Sequence, residues 1–123
     1  MKIAIVLYQG VTALDAIGPY EVLKFIPDAE ICFVSNKPQA ITADSGVLVI
    51  GATHSFADVP RPDIVLVPGS TANTATAMAD KELMTWLKQV HKTTNLTMSV
   101  CSGALILAAA GILDGHKATT HWI

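Results

Sequence analysis

Residues 96–111, Leu96-Thr97-Met98-Ser99-Val100-Cys101-Ser102-Gly103-Ala104-Leu105-Ile106-Leu107-Ala108-Ala109-Ala110-Gly111, pass from strand chemistry to helix chemistry through one cysteine. Leu96 to Val100 is a short β-prone run, and Leu105 to Ala110 is a strong helix former closed by Gly111. Cys101-Ser102-Gly103 therefore falls at the turn between them. At that turn the free N–H groups and positive dipole end of the following helix favour the thiolate, the nucleophilic form of cysteine. Strand, turn, nucleophile and helix follow one another in the order of a nucleophile elbow, here with Cys for Ser and without the full glycine pattern. The competing reading of Cys101 is a small buried hydrophobe, which is what most free cysteines are.

Working outward, the same strand-then-helix alternation recurs. Lys2 to Tyr8 is nearly continuous Ile/Ala/Val/Leu, the pattern of a strand covered on both faces in a parallel sheet. Gly10 to Gly18 reads as a loop, with Pro19 at the first position of a helix through Phe25. Glu30 to Ser35 reads as a second strand, in which Cys32 is core packing. Ile41-Thr42 and Val47 to Ile50 flank Asp44-Ser45-Gly46 as either a hairpin or a strand broken by a bulge. Ser55 to Asp58 suits one helical turn, and Ile64 to Val67 is a third apolar strand ending at Pro68-Gly69-Ser70. Thr71 to Ala79 is weakly helical, while Asp80 is an N-cap for a helix through Lys92 whose Leu83, Trp86, Leu87 and Val90 share one face. Lys117 to Thr120 suggests one more short strand.

This alternation predicts one α/β domain over residues 1–123, a doubly wound parallel sheet with helices on both faces. In such sheets ligands bind outside the carboxyl ends of the strands. The loops carrying Asp15, Gly69 with Ser70, and Cys101 then share one edge.

Composition narrows the function. The chain has 123 residues, 51% of them hydrophobic, and a net charge of −2. That is ample for a core and carries no electrostatic footprint for nucleic acid or an anionic membrane. The apolar run from Ala104 to Leu113 is too short to span a bilayer, and the apolar start lacks a convincing cleavage site. Two cysteines make no disulfide framework, so a reducing cytoplasm is expected. His54, His91, His116 and His121 are scattered, with no metal-ligand spacing, so no metal is expected.

A cysteine nucleophile needs a proton partner and donors for the charge on its adduct. Asp15, between Leu14 and Ala16, is a candidate acid or base if burial raises its pKa; otherwise it is a loop carboxylate capping the helix at Pro19. Gly69 permits close approach to a ligand or is simply part of a turn. The N–H groups of Ser70 and Ser102 are candidate anion donors, and the Ser102 hydroxyl is a candidate to hold a water or substrate atom. His121 reads either as a base or as a polar residue at a helix start. The candidate set is thus Cys101, Asp15 and Ser102 for chemistry, with Gly69, Ser70, Gly103 and His121 for substrate binding or anion donation.

Four linked segments carry a family resemblance: Leu14-Asp15-Ala16-Ile17-Gly18-Pro19-Tyr20-Glu21-Val22-Leu23, Val67-Pro68-Gly69-Ser70, Ser99-Val100-Cys101-Ser102-Gly103-Ala104, and Ala109 to Gly115 with Ala118-Thr119-Thr120-His121-Trp122. In order along the whole chain they resemble the ThiJ/PfpI superfamily, within it the branch holding isonitrile hydratase and the amidotransferase-like sensor domains of AraC-type regulators. The resemblance implies a flavodoxin-like α/β/α sandwich with a mostly parallel sheet. It implies Cys101 as elbow nucleophile with Asp15 as acidic partner, Ser102 standing where the hydratase has threonine. Peptidase-like members have histidine directly after the cysteine, and Ser102 at that place argues against a protease.

The activity so implied is addition of water to an isonitrile, giving an N-substituted formamide, with a small-molecule substrate, no cofactor, and no nucleic-acid or membrane partner. The rival reading is a sensing domain of the same fold, for a metabolite or for oxidation of Cys101. Family members continue beyond the Thr-Thr-His-Trp motif, whereas this sequence stops at Ile123. The expectation is therefore a C-terminally truncated domain whose uncovered apolar surface favours a homodimer.

Overall fold

The computed structural model describes residues 1–120. Five parallel strands form the central sheet: β1 (Lys2–Val6), β2 (Glu30–Ser35), β5 (His54–Ser55), β6 (Ile64–Val67) and β7 (Leu96–Ser99), in spatial order β5-β2-β1-β6-β7. The remaining strands, β3 (Gln39–Thr42) and β4 (Val49–Ala52), pair antiparallel as a separate hairpin with Ile41 opposite Ile50. Among the described residues there are four α-helices: α1 (Ala13–Leu23), α2 (Thr74–Met78), α3 (Lys81–His91) and α4 (Gly103–Ala109). A 3-10 turn spans Phe56–Asp58.

The centre of the sheet is where the sequence is most continuously apolar, because a strand with neighbours and helices on both sides has no solvated face. Ile3, Ile5, Leu7, Val34 and Leu66 are essentially inaccessible, and Cys32 packs among them. β7 is the outer strand beside β6, and its Leu96 remains exposed. Asp80 caps α3 as its sequence suggests, accepting from Glu82 N at 3.0 Å and Leu83 N at 3.2 Å. Leu83, Trp86, Leu87 and Val90 are the buried face of that helix, and the Trp86 indole donates to Val59 O at 2.9 Å.

Two local readings change. The expected loop from Gly10 to Gly18 is helical from Ala13 onward, so Pro19 lies inside α1 rather than opening it. The residue before it explains the tolerance: proline disfavours helix at the preceding position partly through that residue's Cβ, and Gly18 has none. Packing of Ala16, Ile17, Tyr20 and Leu23 on the core supplies the rest. As a result Asp15 is a buried first-turn helix residue, not a loop carboxylate. Lys117 to Thr120 forms no strand; the segment is irregular and exposed. Between the two alternatives left open for residues 41–50, the hairpin is the one formed.

Candidate active site at the cysteine elbow

Cys101 sits between β7 and α4 with φ of 56°, a left-handed conformation unusual for a residue with a side chain. It is exposed, whereas Cys32 is buried. Burial pushes the Cys32 thiol up, which keeps it protonated and inert. The chain thus holds one sequestered thiol and one presented at a strained turn.

Two glycines make the turn possible. A Cβ on Gly103 would lie 2.1 Å from Val67 O and 2.9 Å from Val67 C, so α4 can start against β6 only because that atom is missing. A Cβ on Gly69 would lie 2.5 Å from Ser102 Oγ, 2.7 Å from Ser102 N and 3.2 Å from Asp15 Oδ2. Gly69 therefore lets its own backbone reach the acid and the elbow at once. Its N–H donates to Asp15 Oδ2 at 3.1 Å in a buried contact.

Ser70 and Ser102 bind each other. Ser70 N donates to Ser102 Oγ at 3.1 Å, and Thr74 Oγ1 lies 2.9 Å from the same oxygen. Ser70 Oγ donates to Gly10 O at 2.5 Å and accepts from Asn73 N at 3.0 Å. The Ser70 N–H and the Ser102 hydroxyl are thus engaged in joining the two loops in this structure, an arrangement different from free donors awaiting a ligand. Gly103 takes a packing position at the start of α4. Thr120 Oγ1 donates to Cys101 O at 3.0 Å, and His121 lies outside the described residues.

Tyr8, Thr74 and Asp44 join this neighbourhood without any sequence motif to announce them. The Tyr8 hydroxyl donates to Pro68 O at 2.8 Å, beside Gly69. Burial pushes the Tyr8 phenol far above its usual range, and the charges of Asp15, Cys101 and Asp44 add to the effect. Tyr8 is accordingly a neutral donor that braces the loop. One cleft of about 600 Å³ lies around Phe56 and Trp86, and another of about 510 Å³ lies between Gln39 and Asn73 over Tyr8. Neither is lined by Cys101. Among the described residues there is no cluster of side chains suited to a metal ion and no helix long and apolar enough to cross a membrane.

A doubly wound parallel sheet presenting a left-handed cysteine at a strand-to-helix elbow, with a buried carboxylate tied to the neighbouring loop, defines the class of protein. The chain belongs to the DJ-1/PfpI family, whose profile matches residues 1–123. It is 35% identical over 122 residues to the isonitrile hydratase of Pseudomonas putida, an alignment covering 99% of this chain and 53% of the hydratase. It is 32% identical over 130 residues to an uncharacterized protein in the cpoL 5′ region of Streptomyces lividans, covering 98% of this chain and 87% of that one. A crystal structure of a ThiJ/PfpI family protein from Pseudomonas syringae superposes with a TM-score of 0.94 at 35% identity, covering 98% of this chain and 50% of that chain. Oxidized DJ-1 from Toxoplasma gondii shares the fold, with a TM-score of 0.83 at 20% identity, covering 97% of this chain and 66% of that one. The chain thus spans about half the length of the Pseudomonas putida and Pseudomonas syringae relatives.

Proposed function

We propose that the elbow site adds water to an isonitrile, converting R–N≡C to R–NH–CHO. The observation that carries this reading is the juxtaposition of an exposed, left-handed Cys101 with a buried Asp15 through the single Gly69–Ser70 loop. Similarity to isonitrile hydratase supports it. In the reaction the Cys101 thiolate attacks the terminal carbon, which becomes C–H on protonation and leaves a thioimidate, R–N=CH–S. Water then adds to that carbon, the nitrogen takes a proton, and the C–S bond breaks to release the formamide and the thiolate. Asp15 passes the protons, held in place by the Gly69 N–H. Ser102 acts by holding the Ser70 loop over the elbow, with the Ser70 and Ser102 backbones lining the entry. No step needs a metal or cofactor.

The direct test is formamide formation from cyclohexyl isocyanide. Turnover is expected, and Asp15→Ala is expected to lower it by about a hundredfold or more, the lower end of what a positioned acid or base contributes. Absence of turnover in the parent protein would sink the hydratase reading.

A sensing role is the second reading, favoured by the exposure of Cys101. Its sign would be selective oxidation of Cys101 over Cys32 by dilute peroxide without isonitrile turnover. Both readings place the protein in a reducing, cytoplasmic setting, which its two free thiols support.

A homodimer belongs to the same proposal. α1 is apolar on its outer side as well as its inner one: Leu14, Val22 and the following Phe25 are 75%, 70% and 77% exposed. An exposed apolar stripe of this kind is ordinarily covered, and a second copy would bury it together with the neighbouring Glu21–Lys24 ion pair. Val22→Lys is expected to convert a dimer into a monomer in sedimentation velocity while leaving the melting temperature of the domain close to that of the parent. A parent that sediments as a monomer, or a variant that stays dimeric, refutes this interface.

A further inference from the structure

We infer that Asp44 is a positioning residue for the Asp15–Cys101 site, its carboxylate setting the separation of the two segments that carry Asp15 and Gly69. The inference rests on the pairing of Asp15 with Cys101 proposed above. Asp44 lies at the exposed tip of the β3–β4 hairpin, remote in sequence from both segments. One of its oxygens, Oδ2, accepts from Thr12 Oγ1 at 2.6 Å and from Thr71 Oγ1 at 2.6 Å. Thr12 is the residue immediately before α1, and Thr71 follows Gly69–Ser70. Two hydroxyls converging on one oxygen hold their parent segments at a fixed spacing.

Thr12 shows that the contact has a purpose beyond local structure. A threonine at a helix N-cap ordinarily turns its hydroxyl onto the free N–H groups of the first turn. Here the Thr12 side chain makes no cap bond and is given to Asp44 instead. The hairpin does not need that bond to stay in place. Gly10 N donates to Thr42 O at 2.9 Å, Asp44 N to Val11 O at 2.9 Å, and Thr42 N to the Gln9 side chain at 2.9 Å. What the carboxylate adds is the link from Thr12 to Thr71, alongside the backbone bond from Thr12 N to Gly69 O at 2.9 Å. Those two segments meet again one turn deeper, where Gly69 N donates to Asp15 Oδ2. The hydroxyl bonds, Thr12 first and Thr71 second, hold the Asp44 carboxyl below the usual carboxylate range, so it is an acceptor at neutral pH.

The experiment is the alkylation rate of Cys101 by iodoacetamide across pH, followed by peptide mass spectrometry so that buried Cys32 does not contribute. Asp44→Ala is expected to change the rate at neutral pH by about threefold or more, the lower end of couplings within a shared network, and in the same direction as Asp15→Ala. Asp44→Asn, which keeps an acceptor oxygen but not the charge, restores the wild-type profile. Thr71→Val, which keeps the shape and removes the hydroxyl, reproduces Asp44→Ala and serves if that variant fails to fold. In an Asp15→Ala background, adding Asp44→Ala produces no further change. The inference is overturned if Asp44→Ala and Thr71→Val both leave the profile unchanged. It is also overturned if Asp44→Asn behaves like Asp44→Ala, because charge and not position would then be acting, or if the effect persists without Asp15. Should Asp15→Ala itself leave Cys101 unaffected, the Asp15–Cys101 pairing falls and this inference with it; an Asp15 effect with no Asp44 effect removes the inference alone.

Discussion

Cys101→Ser is expected to lower isonitrile turnover by at least about a thousandfold, and Cys101→Gly to abolish it while stabilising the fold by about 1 kcal/mol. The two substitutions separate chemistry from backbone. Serine fills the same space at the elbow, but its hydroxyl ionises far less readily than a thiol and is a much weaker nucleophile at neutral pH. Glycine removes the nucleophile and also the cost of holding a side chain at φ of 56°. That cost is about 1–2 kcal/mol, against about 0.5–1 kcal/mol of extra chain entropy that glycine loses on folding. The net effect favours glycine, so a protein that keeps cysteine there gives up stability for reactivity. Urea unfolding of the parent and both variants, run beside the formamide assay, checks both halves. A Cys101→Gly protein less stable than the parent would mean that the turn carries no strain.

Gly103→Ala carries the second large effect, a loss of about 2–3 kcal/mol in unfolding free energy. Helix propensity works in the opposite direction, since alanine is better than glycine in a helix by about 1 kcal/mol. Packing decides the sign. The added carbon would lie 2.1 Å from Val67 O, 2.9 Å from Val67 C and 3.1 Å from Pro68 C, all of them backbone atoms that no rotamer change can move. Relief requires α4 to lift away from β6, and Val67 O also accepts from Val100 N at 3.1 Å, so the junction between β6 and the elbow would open too. The variant should therefore lose Cys101 selectivity toward thiol reagents along with stability. Thermal denaturation showing an unchanged or raised midpoint would refute the packing argument.

The parts of the fold legible in the sequence were those with a local, repeated cause. The second strand, Glu30–Ser35, and the third apolar run, Ile64–Val67, have the bounds their composition suggests. Asp80 caps α3 and its four apolar residues face inward because capping and helical periodicity act within one or two turns. α1 was less legible. Its Gly18-Pro19 pair resembles a loop, and only packing against the sheet shows that the chain is helical through it.

The site divides in the same way. The sequence by itself determined that one cysteine stands between a strand and a helix, because both flanking segments announce themselves through their own residues. It also placed the Asp15, Gly69 and Cys101 segments at the carboxyl edge of one sheet, since strand alternation leaves few other topologies. Only the tertiary structure decided what those residues touch. Asp15 and Gly69 are 54 residues apart and Ser70 and Ser102 are 32 apart, yet each pair shares a hydrogen bond. Asp44 reaches both segments from a hairpin whose sequence carries no chemical motif. Contacts of that range depend on where the strands bring the loops, and the need for glycine at position 103 depends on a carbonyl of β6. Neither leaves a periodic trace in the chain, because the partner that imposes each requirement is distant in sequence and adjacent only after folding.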